Sequence, residues 1–285
     1  KALEIWSNEY DTKELREYSK TLLKTLKNRK LYKLQLLSSY HLSFSQNACN
    51  FSVPGAGKTS IVYATFSYLN SLAKSHNKHV NKLIVVGPPS SFKPWEDEYE
   101  ECFGLKPKSI RLNSETGINE RINSLTGDLV NNYDLYLLTY QSLPNLIEYL
   151  ITFCKSLNNK VMLVCDEAHK IKSLDGIWSE NILRLSPFLK SRVVLTGTPI
   201  PNGYQDLVNL FKFIYPNRDV IKLRADYLKR LNNSPYSSEV QYLINNIKPF
   251  FIRIKKSDLN LPKITRDLSD NYYTNDFERK IYLKL

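Results

Sequence analysis

"SVPGAGKTS", Ser52 to Ser60, follows the short apolar run "ACNF" and opens onto "IVYATFSYLNSL", a stretch of helical character. A strand that turns through glycines into a helix is the unit from which layered α/β domains are built. Gly55 and Gly57 let the backbone curl without a Cβ in the way. Ala56 and Gly57 then lead successive N–H groups, Ser60 included, toward the positive end of the helix, which is an anion site. Lys58 adds a cation for phosphate oxygens, and Thr59 a hydroxyl for magnesium. The strict pattern GxxxxGK[ST] has glycine where this chain has Ser52, so the match is GxGKT. Taken alone, a chance turn before a helix reads the same way.

The flanking sequence repeats the strand–helix alternation. Apolar runs occur at 48–53, 82–87 ("KLIVVG"), 134–140 ("DLYLLTY"), 161–165 ("VMLVC") and 192–197 ("RVVLTG"). Each is continuous and rich in Val, Leu and Ile, as strands covered on both faces are. Amphipathic segments such as 60–75 and 92–103 separate them. The expectation is an α/β fold with a mainly parallel sheet flanked by helices. Residues 1–30 read as a lysine-rich helical extension and 31–42 as a second helix. After about Pro216 the chain turns basic and helical or irregular through residue 285, an accessory segment.

The run "VMLVC" ends in "DEAHKIKS", Asp166 to Ser173. Adjacent carboxylates at a strand end fit three schemes: a helix N-terminus, a metal site, or an ATPase in which each acid has its own task. A zinc site fails on spacing, since no HExxH pattern is present. In the third scheme Asp166 holds Mg²⁺ through its water shell and Glu167 orients and deprotonates the attacking water. His169 lies beyond the metal and reads as a link to another motif. The next run ends in "LTGTPIPN", whose Thr196, Gly197 and Thr198 form a stiff turn. Their hydroxyls are expected to bond to the Asp-Glu-His loop as a relay.

In this order GAGKT, DEAH and LTGTP resemble motifs I, II and III of superfamily two helicases. More narrowly, "DEAHKIKS" and "VVLTGTPIPNGYQDLVNLFKFIYP" resemble the Swi/Snf-type (SNF2-like) DNA-dependent ATPases. "LIVVGPPSSFKPWEDEYEECF" is similar to that family's motif Ia, "DLYLLTYQSL" to its TTY segment, and "FFIRIKKSDLNLPKITRDL" to the stretch after its first lobe. The resemblance spans roughly residues 31–285. It implies a RecA-like lobe over 31–215 that binds ATP and Mg²⁺, a second RecA-like lobe, and double-stranded DNA held mainly by its phosphates. It assigns Gly55, Ala56, Gly57, Lys58, Thr59 and Ser60 to the nucleotide, and Lys58, Asp166 and Glu167 to catalysis. Thr59 and Asp166 go to the metal, and Gln35, 23 residues before Lys58, to adenine. It assigns Ser90, Ser91, Lys93, Thr139 and Tyr140 to DNA. Trp95 and Tyr99 read as packing residues. Where the family usually has Asp-Glu-Met-Gly-Leu before GKT, this chain has Ser-Val-Pro-Gly-Ala, which points to a divergent bacterial, phage or viral relative. No QxxGRxxR run occurs, so this chain alone is expected to bind nucleotide weakly and hydrolyse it poorly.

Composition agrees with a DNA partner without requiring one. Forty Lys and Arg against 28 Asp and Glu leave a formal charge of +12, which favours a polyanion. Cys49, Cys102, Cys154 and Cys165 form no CxxC pair and read as free thiols of a reducing compartment. No apolar run reaches the roughly 18 residues of a membrane helix. The expected location is cytoplasmic or nuclear, not secreted and not in a membrane. The start lacks Met and the end stops within a helical pattern, as in a piece of a longer protein. Two other functions share these motifs: a strand-separating or RNA-duplex-dependent helicase, and a nucleic-acid-binding module whose ATPase has decayed.

Overall fold

A computed structural model describes residues 1–173 and 175–259. The residues 1–255 cluster as one compact unit. Three helices come first: α1 (Ala2–Trp6), α2 (Thr12–Thr25) and α3 (Lys33–Ser45). The expected continuous helix over 1–30 is therefore two. Asn8 adopts a left-handed φ of 63°, and the Asp11 side chain caps the new helix by accepting from Lys13 N–H at 2.7 Å.

Alternation then begins with β1 (Asn47–Asn50), α4 (Lys58–Ser71), β2 (Lys82–Gly87) and α5 (Phe92–Phe103). It continues through β3 (Ser109–Leu112), α6 (Ile118–Thr126), β4 (Leu135–Thr139) and α7 (Leu143–Lys155). Next come β5 (Val161–Cys165), α8 (Ile177–Leu185), β6 (Ser191–Leu195) and α9 (Leu207–Ile214). The later segment holds α10 (Ala225–Leu231), α11 (Ser238–Ile247) and the two-residue strand β7 (Phe251–Ile252).

The described strands form one parallel sheet in the order β3-β4-β2-β5-β6-β1-β7. Every residue of β2, β4, β5 and β6 is buried, because helices cover both faces. These four, together with β1, are the strands that continuous apolar runs announced. The two edges were not: β3 alternates half-buried and buried residues, and β7 is too short to carry a pattern. The helical reading of 272–285 and the "LPKI" stretch at 261–264 lie outside the described residues.

The N-terminal helices are packed into this unit. Tyr18 of α2 stacks among Tyr40, Phe44 and Tyr68 at ring separations of 4.6 to 6.4 Å. Its hydroxyl lies 3.1 Å from Ser43 Oγ. Among the described residues, no helix is long and apolar enough to cross a membrane. All four cysteines are free and buried.

Candidate functional site

The carboxyl ends of β1, β6 and β5 lie side by side, the position where open parallel sheets present their loops. Between β1 and α4 runs the glycine loop. Gly55 and Gly57 have φ of 80° and 74°, the left-handed region that glycine enters without strain. A Cβ on Gly55 would meet nothing within 4 Å, so this side of the loop is open. The 14-residue helix α4 has Gly57 as its N-cap and aims its unpaired N–H groups into that space. Lys58 folds back over the loop, donating to the carbonyls of Ser52 at 3.1 Å and Val53 at 3.4 Å.

Ser52, the departure from the strict pattern, has a structural task. Its buried hydroxyl accepts the Ile254 N–H at 2.9 Å, while Phe51 N–H donates to Ile252 and Val53 N–H to Ile254. The loop is thereby braced by β7 and the residues that follow it. Glycine at 52 would lack that acceptor.

At the tip of β5, Asp166 is held at four points. Its N–H donates to Val86 O at 2.7 Å and its carbonyl accepts the Tyr140 hydroxyl at 2.8 Å. Its carboxylate accepts Trp95 Nε1–H at 3.0 Å on Oδ2 and Glu167 N–H at 3.0 Å on Oδ1. Glu167 itself has φ 48° and ψ 48°, a left-handed geometry that costs about 1–2 kcal/mol for a residue with a Cβ. Its Oε2 lies 3.2 Å from His169 Nδ1, without the alignment of a hydrogen bond. Buried Asn209 of α9 holds the end of the loop, donating to the carbonyls of Ile171 and Ser173.

The strand β6 separates β1 from β5, so the strands that lead into the glycine loop and the acidic pair stand two spacings apart in the sheet, about 9–10 Å. Electrostatics nonetheless joins them. Burial pushes the Lys58 ammonium below the usual lysine range, and Glu167 and Asp166 pull it back up. The turn after β6 fills the gap: a Cβ on Gly197 would lie 3.1 Å from Pro54 Cδ. The expected hydroxyl relay takes another form here. Thr196 is fully buried and its Oγ1 accepts Thr198 N–H at 3.2 Å, while the Thr198 side chain is exposed. This turn touches the glycine loop through backbone and proline.

Other sequence-read positions divide into those that reach the site and those that turn inward. Gln35 reaches it: Nε2 donates to Ala56 O at 3.3 Å and Oε1 accepts Tyr32 N–H at 3.1 Å. Ser60 turns inward, its hydroxyl donating to Glu98 Oε1 at 2.6 Å, where Arg29 Nε also pairs at 3.3 Å. Ser90, Ser91 and Lys93 sit on the turn that opens α5. Ser90 and Lys93 are exposed, Lys93 paired with Asp97, and Ser91 Oγ donates to Pro88 O. That turn abuts the acidic pair, since a Cβ on Gly87 would lie 3.0 Å from Ser91 Oγ and 3.2 Å from Asp166 Cβ. Thr139 and Tyr140 are buried, with hydroxyls engaged by Ser142 Oγ and the Asp166 carbonyl. Their side chains present nothing to a polyanion at the surface. Trp95 and Tyr140, read as packing and DNA residues, are the unexpected members of the site.

The donor set matches a magnesium nucleotide. A left-handed glycine turn, a helix N-terminus and one ammonium suit a polyphosphate, and hydroxyl and carboxylate oxygens suit a hard divalent cation. Among the described residues, no cluster of three His, Cys, Asp or Glu forms a transition-metal site. A family model described as the SNF2-related domain matches residues 51–284. The chain belongs to that family. As an SNF2-related domain it is similar to the "DNA repair and recombination protein RAD54-like" of Drosophila persimilis, with 26% identity over 190 residues, 63% of this chain and 22% of the relative. The protein of the same name from Drosophila ananassae is 30% identical over 161 residues, 54% and 19% of the two chains. The "Sulfolobus solfataricus SWI2/SNF2 ATPase core in complex with dsDNA" shares the fold, with a TM-score of 0.65 and 23% identity over 82% of this chain and 46% of that one. The SNF2-related chain thus spans about a fifth of the length of those curated relatives. The family is one of ATP-using enzymes.

Proposed function

We propose that this chain is the first ATP-binding lobe of a motor that moves along double-stranded DNA at the expense of ATP. The observation that carries the reading is geometric: a left-handed glycine turn at the start of α4 and a tethered Asp166 stand at the same carboxyl edge of the sheet, with the turn after β6 packed on the glycine loop between them. One ligand spanning both strand ends, a triphosphate with its cation, uses every group there.

In this reading the N–H groups at the start of α4 and the Lys58 ammonium bind the β- and γ-phosphates. Lys58 exchanges its two loop carbonyls for phosphate oxygens, a stronger pairing because the acceptor is charged. Thr59 and Asp166 would hold Mg²⁺, which would neutralise charge on the phosphoryl oxygens. Glu167 takes the proton of the attacking water. Gln35, fixed at both ends of its amide, stands beside Ala56 where the base of the nucleotide would lie. The exposed turn at Ser90 and Lys93 faces DNA phosphates, giving contacts that are sequence-independent and weakened by salt. A second lobe supplies the arginines that complete the γ-phosphate site, and the protein works where DNA is, in a cytoplasm or a nucleus.

ATP hydrolysis by the full-length protein with and without duplex DNA tests this. Stimulation by duplex is expected, and Glu167→Gln should lower kcat about 10²- to 10⁴-fold, the usual share of a general base. Absence of stimulation by any nucleic acid, or full activity in a Lys58→Ala, Glu167→Gln double variant, would end the reading.

A further inference from the structure

Trp95 is 1% exposed, and an indole carries one donor and no acceptor, so its single hydrogen bond is a choice of partner. That partner is Asp166 Oδ2, 71 residues away in the chain. The ring cannot turn elsewhere. Tyr63 packs edge-on against it at 5.3 Å and 78°, and the Tyr63 hydroxyl donates to the Trp95 carbonyl at 2.6 Å. Tyr63 belongs to α4, which begins at the glycine loop, and Trp95 lies within the first turn of α5, next to the Ser90–Lys93 turn. Gly87, where a Cβ would crowd Ser91 Oγ at 3.0 Å and Asp166 Cβ at 3.2 Å, lets that turn close on Asp166.

We propose that Trp95 is a positioning residue: its indole N–H fixes the rotamer of Asp166 for the cation and ties that carboxylate to the exposed turn opening α5. This rests on the magnesium-nucleotide reading above. With Oδ2 engaged by the indole and Oδ1 by the neighbouring N–H, each oxygen keeps acceptor capacity that a hydrated cation would use. A carboxylate freed of the indole samples other rotamers, and the cation loses a preorganised ligand. Outer partners of metal ligands act in this way generally.

The test measures binding of a fluorescent ATP analogue to the full-length protein in excess magnesium and in EDTA. The ratio of the two affinities is the magnesium gain. Trp95→Phe removes the N–H, and 3-benzothienylalanine at position 95 removes it while keeping the bicyclic shape. Both should leave the EDTA affinity unchanged and shrink the magnesium gain about 10- to 100-fold, as loss of such a partner does. An unchanged or larger gain in the benzothienyl protein would overturn the proposal, as would equal losses with and without metal. Failure of the underlying reading looks different: the unsubstituted protein would show no magnesium gain, or Lys58→Ala would bind nucleotide normally.

Discussion

The amide of Gln35 occupies the space that a side chain on Gly57 would need: a Cβ built there lies 2.2 Å from Gln35 Nε2. Together with a φ of 74°, this makes residue 57 glycine for two independent reasons. Gly57→Ala should cost about 1–2 kcal/mol from backbone geometry alone, plus the displacement of Gln35. Adding Gln35→Ala should return the second part and not the first. Urea unfolding of the four proteins in a double-mutant cycle gives the sign: the double variant is expected to cost less than the sum of the two single variants, a negative coupling energy when costs are counted as positive.

The loop after the TGT turn has a similar constraint at Gly203. Its φ is 131°, and a Cβ would lie 2.2 Å from Asn232 Nδ2, while Asn232 Oδ1 accepts Tyr204 N–H at 3.0 Å. Gly203→Ala is expected to destabilise by about 1–3 kcal/mol, the usual strain of a glycine-only conformation. Thermal unfolding monitored by circular dichroism checks it.

Acid should weaken the fold through His41. The ring is fully buried on α3, with Nε2 3.1 Å from the Pro249 carbonyl, and burial pushes it down to about 4 from an ordinary value of 6.5. The unfolded chain therefore takes up a proton, between those values, that the native state does not. Stability is full above pH 6.5 and falls as pH drops toward 4, by about 2 kcal/mol near pH 5. His41→Gln should flatten this part of the curve, read from denaturant midpoints across the range.

Tyr140 and Lys93 separate interior from surface roles. Tyr140→Phe removes the bond to the Asp166 carbonyl and should cost about 1 kcal/mol of stability. The salt dependence of DNA binding should stay as it was. Lys93→Ala should leave stability alone and reduce the slope of log affinity against log salt by about one. Fluorescence anisotropy with a labelled duplex distinguishes them; equal slopes for Lys93→Ala and the unsubstituted protein would remove Lys93 from the DNA surface.

The buried strands were legible because their signal is local. A continuous run such as "KLIVVG" reports burial on both faces, and it coincides with β2 from Lys82 to Gly87. β3 was missed because an edge strand is only half covered, and β7 because two residues carry no period. The glycine loop was readable since φ above zero and an absent Cβ are properties of single residues. By contrast, the single helix expected at the N-terminus ignored the cap at Asp11, a local signal that was present in "NEYDTKEL".

Residue type and spacing alone indicated the parallel α/β layering, the order of the three loops along the chain, and the kind of ligand that glycine, lysine and paired carboxylates suit. Only the folded chain decided which hydroxyl or ring faces which neighbour: Trp95 and Tyr140 on Asp166, Ser60 on Glu98, and Ser52 on an N–H 202 residues away. A hydrogen bond is a matter of ångströms in space, and distance along the chain says nothing of it once the sheet brings remote segments side by side.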